Sequence, residues 1–154
     1  PCSRSARQAG EVRVRFWDAS AVVPLCLTQP ESTVARNLVV ADPALVVWWA
    51  TRTECLSALL RGHRERLVSP PLVERARTVL TRLAGEWSEV QPSELVRTRA
   101  ERLLGVHALR AADGFQLAAA LLWCRGETAS NEFISFDQRL REAARREGFV
   151  VRPD

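Results

Sequence analysis

Leu109-Arg-Ala-Ala-Asp-Gly-Phe-Gln-Leu-Ala-Ala-Ala-Leu-Leu-Trp123 is an apolar helical run with one carboxylate, Asp113, near its start. An acid at that place in a buried helix gains nothing unless it has a partner or a metal to hold. Two other segments end on acids. Val12-Arg-Val-Arg-Phe-Trp17 alternates apolar and charged residues as a strand does, and runs into Asp18, Ala19 and Ser20. Phe133-Ile-Ser-Phe136 is a short apolar strand that ends at Asp137. Both acids mark a change from strand to helix, the end of an open α/β sheet at which ligand sites form.

Outward from these three stretches the chain alternates strands and helices. Ser20 is a candidate cap for the helix after the first strand, with Pro24 in its first turn. A second helix is expected from about Glu31 to Val40, with Val34, Leu38 and Val39 on one side. After the Asp42-Pro43 turn, Ala44-Leu-Val-Val-Trp-Trp49 reads as a strand covered on both faces. A helix follows from Thr51 or Thr53 to about Leu60, with Glu54 in its first turn, and Arg61 to Arg66 reads as a basic connection. Ser69 to Ala84 is expected as a helix, Glu86 to Val90 as a short strand, and Pro92 to about Leu104 as a helix with Gly105 as its C-cap. A turn over Gly126 to Asn131 precedes the Phe133 strand, a helix from Gln138 to Glu147 follows it, and Phe149-Val150 is a last apolar pair. Such alternation predicts an α/β fold, a three-layer α/β/α domain with a mostly parallel sheet. Residues 12–154 are expected to form one domain, and residues 1–11, polar and without an apolar signal region, a disordered or loosely ordered tail.

Composition limits the chemistry. All 22 basic residues are arginine, so mechanisms that need a lysine are excluded; tyrosine and methionine are absent too. A net charge of +4 suits an anionic partner or an ordinary solvated arginine surface. Cys2, Cys26, Cys55 and Cys124 show no Cys-x-x-Cys pair and no histidine at zinc spacing; three of them fall in apolar helical stretches and read as small apolar residues, and a reducing cytoplasm is the expected compartment. No apolar run approaches the roughly 20 residues that a membrane span needs.

Asp18, Glu54, Asp113 and Asp137 each sit at a helix start or a strand end. Each alone can be a cap or a partner for a helix dipole. In a parallel fold all four come to one end of the sheet, where such repulsion requires protons or divalent cations. An all-oxygen donor set suits Mg²⁺ or Mn²⁺ rather than zinc, and those ions support phosphodiester hydrolysis.

These residues resemble a known family, the PIN domains, and in particular the VapC-type toxins of toxin–antitoxin pairs. The likeness rests on Phe16-Trp-Asp-Ala-Ser20, Thr53-Glu-Cys-Leu-Ser-Ala-Leu59, Leu109-Arg-Ala-Ala-Asp-Gly-Phe-Gln-Leu-Ala118 and Phe133-Ile-Ser-Phe-Asp-Gln-Arg-Leu140, in that order. The resemblance implies that Asp18, Glu54, Asp113 and Asp137 are the catalytic acids holding Mg²⁺ or Mn²⁺, with Ser20 and Ser135 as supporting hydroxyls. It also implies an RNA substrate, a cognate antitoxin and a homodimer. Arg110 is similar to an arginine that often precedes the third acid. Two positions depart from the pattern: Gln116 stands where histidine is frequent, and Gly114 where a larger apolar residue is common.

His63 and His107 have no acid nearby in sequence to make a triad. Aspartyl phosphatases need a second aspartate two residues after the first, and that place is Ser20. The arginine clusters at 61–66, 75–82, 97–102 and 139–146 are interleaved with glutamates at helical spacing, as in Glu142 with Arg146. The five tryptophans read mostly as packing. Two alternatives to a ribonuclease stay open: a non-catalytic domain of the same fold that binds RNA or a partner, and a nuclease directed at DNA.

Overall fold

A computed structural model describes residues 15–154. The expected tail, Cys2 and the first half of the expected first strand, Val12 to Val14, lie outside the described residues. Among the described residues five strands form one sheet: β1 (Arg15–Trp17), β2 (Leu45–Trp48), β3 (Ser88–Val90), β4 (Glu132–Ile134) and β5 (Val150–Arg152). Their order is β3-β2-β1-β4-β5, and every pair is parallel. Among the described residues seven α-helices connect them: α1 (Ala19–Cys26), α2 (Ser32–Ala41), α3 (Thr51–Arg64), α4 (Pro70–Glu86), α5 (Glu94–Val106), α6 (Ala111–Trp123) and α7 (Gln138–Arg146).

Side-chain alternation along the strands builds two cores. Phe16, Val46, Trp48 and Phe133 point to one face, where α5, α6 and α7 cover them through Leu103, Leu117 and Leu140. Trp17, Leu45, Val47 and Ile134 point to the other, against α1 to α4 through Val22, Leu59 and Leu80. The result is the expected three-layer α/β/α arrangement, with a wholly parallel sheet. All four β2 residues are buried, as a strand covered on both faces must be. Phe16 stacks on Phe133 with ring centroids 5.5 Å apart, joining β1 to β4 inside the first core.

The connections explain where a site can form. From β1 the chain moves outward through β2 to β3 using the α1–α4 layer, then crosses through α5 and α6 to return at β4 on the other side of β1. The direction of winding reverses between β1 and β4. At the carboxyl ends of these two strands the following helices diverge to opposite faces and leave a crevice.

Several local expectations are corrected. Pro24 lies inside α1 rather than in its first turn, because the helix begins at Ala19. In α2 the inward residues are Ser32 and Ala35, with Leu38 and Val39 half-buried, while Val34 is exposed. The basic stretch from Arg61 is mostly the last turn of α3, where cations suit the carbonyl end of a helix; the chain turns at Arg66, with φ of 59°. Gly105 does not stop α5, which continues to Val106. The fifth strand, visible in the sequence only as Phe149-Val150, forms because β4 offers it an edge in register, Phe133 opposite Val151. Trp49 is 52% exposed rather than packed.

Candidate functional site

Asp18 follows β1 directly and is the N-cap of α1, a role the sequence suggested for Ser20. Its backbone N–H donates to the Ile134 carbonyl at 3.0 Å, tying the end of β1 to the end of β4 across the crevice. Its carboxylate is 4% exposed. Oδ1 accepts from the Ser20 N–H at 3.2 Å, and Oδ2 accepts from the hydroxyls of Ser20 and of Ser135, the latter at 2.7 Å. The two serine oxygens lie 3.3 Å apart. Each hydroxyl has one hydrogen, and both hydrogens go to Asp18, so that contact holds no bond of its own. As acceptors, the same oxygens take the backbone N–H groups that follow β4: Phe136 N to Ser20 Oγ at 2.8 Å, and Asp137 N to Ser135 Oγ at 3.1 Å. Ser20 and Ser135 thus bind Asp18 to the segment that carries Asp137.

The other acids come from three further helix starts. Glu54 lies in the first turn of α3, and its Oε2 accepts from Gln116 Nε2 at 3.0 Å. Asp113 lies in the first turn of α6 and accepts the Arg110 N–H at 3.3 Å. Asp137 caps α7, accepting the Leu140 N–H at 2.8 Å. Four helix N-termini therefore meet here, and their partial positive charge favours anions.

The electrostatics link the acids to one another. Burial raises the Asp18 carboxyl above its ordinary 3.8 against the pull of the Ser20 and Ser135 hydroxyls, and the Asp113 charge raises it further. Glu54 is raised above 4.5 first by burial and then by Asp18 and Asp113, with the Gln116 amide acting the other way. Asp113 is raised by burial and by Asp137, and eased by the Arg110 amide and the charges of Arg110 and Arg139. Asp18, Glu54 and Asp113 thus each feel the charge of at least one neighbouring acid at this end of the sheet.

They do not close on a common point. Among the described residues, no three His, Cys, Asp or Glu side chains converge at the spacing of a metal shell. Each carboxylate is turned onto its own donor, and Glu54, Asp113 and Asp137 each do so through one oxygen. The donor set is all carboxylate oxygen with mutual repulsion to relieve, which is the chemistry a hard divalent cation fits.

Gln116 is the residue whose place sequence reasoning missed. It is 1% exposed and bridges Glu54 to Thr51 Oγ1, the latter at 3.1 Å. A lone amide three residues after Asp113, within an apolar helix, was the available signal. Gly114 also gains a reason: a Cβ there would meet Leu104 Cδ2 at 3.2 Å, where α5 crosses α6 closely. His63 and His107 stand apart from the acids in hydrogen bonding, His63 Nδ1 against the Val68 carbonyl and His107 Nε2 against Glu147. A groove of about 570 Å³ is lined by Ser20 and Asp137 together with Pro24, Leu27, Arg61 and Phe136.

A wholly parallel three-layer α/β/α sheet with carboxylates at its switch point defines the class of fold. No family model matches the sequence, and no curated protein does. Solved structures are similar. A chain of the toxin–antitoxin complex from Klebsiella pneumoniae has a TM-score of 0.54 and 19% identity, over 81% of this chain and 88% of that one. The crystal structure of PAE2754 from Pyrobaculum aerophilum has a TM-score of 0.60 and 17% identity, over 92% of each chain. At such identities the likeness is one of fold.

Proposed function

We propose that this chain is a PIN-type, Mg²⁺- or Mn²⁺-dependent endoribonuclease that acts as the VapC-like toxin of a toxin–antitoxin pair, with residues 12–154 as its nuclease unit. The observation that carries the proposal is the gathering of Asp18, Glu54, Asp113 and Asp137 on four helix starts at one end of the sheet, where burial first and neighbouring acidic charge second raise the carboxyls of Asp18, Glu54 and Asp113. A caps-only reading accounts for each acid singly. It gives no reason for Asp18, Glu54 and Asp113 to lie where neighbouring acids push their carboxyls up.

Asp18, Glu54, Asp113 and Asp137 would hold the ion. A bound Mg²⁺ or Mn²⁺ supplies charge neutralisation at a phosphodiester and a water acidified to a nucleophile at neutral pH. The chain's own residues prepare the place. Ser20 and Ser135 fix the Asp18 carboxylate, Gln116 holds Glu54, and the Arg110 N–H holds Asp113. The exposed guanidinium groups of Arg110 and Arg139, whose charges reach Asp113, are available to the backbone of an RNA strand. Similarity of fold to a chain of the toxin–antitoxin complex from Klebsiella pneumoniae supports an antitoxin partner that covers the site, and a homodimer belongs to the same reading.

The test is cleavage of a mixed RNA pool with Mg²⁺ or Mn²⁺ by the wild type and by Asp113→Asn. Metal-dependent cleavage by the wild type that the variant loses supports the proposal. Cleavage retained by the variant removes Asp113 from the assignment, and RNA that is bound but never cut by the wild type favours a binding domain of the same fold.

A further inference from the structure

Gln116 sits between two acid-bearing helices, and its place is costly. Its side chain is 1% exposed within the apolar core face of α6. Nε2 donates at 3.0 Å to Glu54 Oε2 and at 3.1 Å to Thr51 Oγ1, both on α3, while Oε1 is buried without a partner among the described residues. An unpaired buried acceptor lowers stability, and a leucine of similar size would fill the space without that loss. The reverse amide orientation would set its carbonyl against the Glu54 carboxylate. Glu54 therefore dictates which way the amide faces, and Thr51, fully buried, anchors the second N–H.

Resting on the metal reading above, we infer that Gln116 is the positioning residue for Glu54. Its amide fixes one carboxylate oxygen so that the other is presented to the ion, and it ties α3 to α6 so that Glu54 keeps its place relative to Asp113. Outer partners of this kind change metal affinity by about 10–100-fold when removed.

The test is calorimetric titration of Mn²⁺ into the wild type, Gln116→Leu and Gln116→His, with the melting temperature of each metal-free protein measured alongside. Leucine keeps the volume and removes both donors, whereas histidine keeps a ring N–H. We expect Q116L to bind Mn²⁺ at least about tenfold more weakly at an equal or higher melting temperature, and Q116H to recover most of the affinity. Thr51→Val, which removes the amide's anchor and touches no acid, serves as a second variant and should weaken binding in the same direction. Equal Mn²⁺ affinity in Q116L and the wild type, or equal loss in Q116L and Q116H, overturns the role of Gln116 and leaves the metal reading standing. A wild type that binds no Mn²⁺ overturns the metal reading itself.

Discussion

Asp18 shows how one side chain can be both structural and poised. It caps α1, links β1 to β4 and takes two hydroxyl hydrogen bonds, yet burial still leaves its carboxyl raised. Glu54 and Asp113 are raised for the same first reason, and the charges of neighbouring acids add to it. A carboxyl raised in the folded state binds its proton more tightly there than in the unfolded chain. What these three groups contribute to the metal-free fold is therefore fully present at and below the ordinary values, 3.8 for aspartate and 4.5 for glutamate, and is lost as pH rises through the raised ones. Asp113→Asn removes a charge that adds to the effect of burial on both Asp18 and Glu54. Its melting temperature should equal or exceed that of the wild type at neutral pH, with a flatter decline between acid and neutral pH. Parallel melting profiles for the two proteins would show that the acids do not repel one another as described. Asp18, Asp113 and Asp137 were legible in the sequence because each stands at a change of hydrophobic period. Gln116 was not, because its meaning depends on a carboxylate 62 positions away in the chain.

At the scale of elements, α7 is the clearest gap between pattern and structure. Its sequence, Gln138-Arg-Leu-Arg-Glu-Ala-Ala-Arg-Arg146, reads as a solvated helix, yet Arg141 is buried beside Leu140, Ala143 and Ala144. Its guanidinium donates at 2.7 Å to the carbonyl of Ser135, the residue that holds Asp18, and at 2.5 Å to that of Pro153. Nothing local marks this arginine as different from Arg139 or Arg145. Arg141→Met should keep the packing of the stem and lose both bonds, at about 1–3 kcal/mol. In a chain of this size that lowers the melting temperature by several degrees, at roughly 2–4 °C per kcal/mol. An unchanged melting temperature would show that the clamp contributes nothing.

The other end of α7 is held by Glu147, which accepts from Arg102 at 2.7 Å and pairs with His107 Nε2 at 2.8 Å. Burial works to raise this carboxyl, but the His107 and Arg102 bonds outweigh it and hold it below 4.5. The sign is opposite to that of the site acids: the contribution is complete above the ordinary value and is lost as pH falls through the lowered one. Glu147→Gln should therefore be less stable than the wild type at neutral pH, with the difference closing in acid. A pH-independent difference would contradict the pairing.

Across the whole molecule, the class of fold followed from alternation alone, because apolar runs such as Leu45 to Trp48 have few other uses in a chain with room for two covering layers. Register and strand order were not legible. They depend on pairings such as Phe16 with Phe133, which only the folded sheet brings together. Trp49 likewise lies just past the end of β2 and is exposed; an isolated run of two tryptophans gives no sign of that boundary. Once the order β3-β2-β1-β4-β5 is set, the switch point between β1 and β4 selects Asp18, Ser135 and Asp137, and the starts of α3 and α6 bring Glu54 and Asp113 to the same end. A groove lined by Ser20 and Asp137 opens at this end of the sheet.

The most direct test of the central claim is calorimetric titration of Mn²⁺ into the protein alone, side by side with Asp113→Asn, at neutral pH and with the fold of both verified. Saturable binding in the wild type that weakens by about tenfold or more in the variant is the predicted result. Absence of binding in both, or equal binding in both, would contradict it and return the four acids to service as helix caps and ion partners.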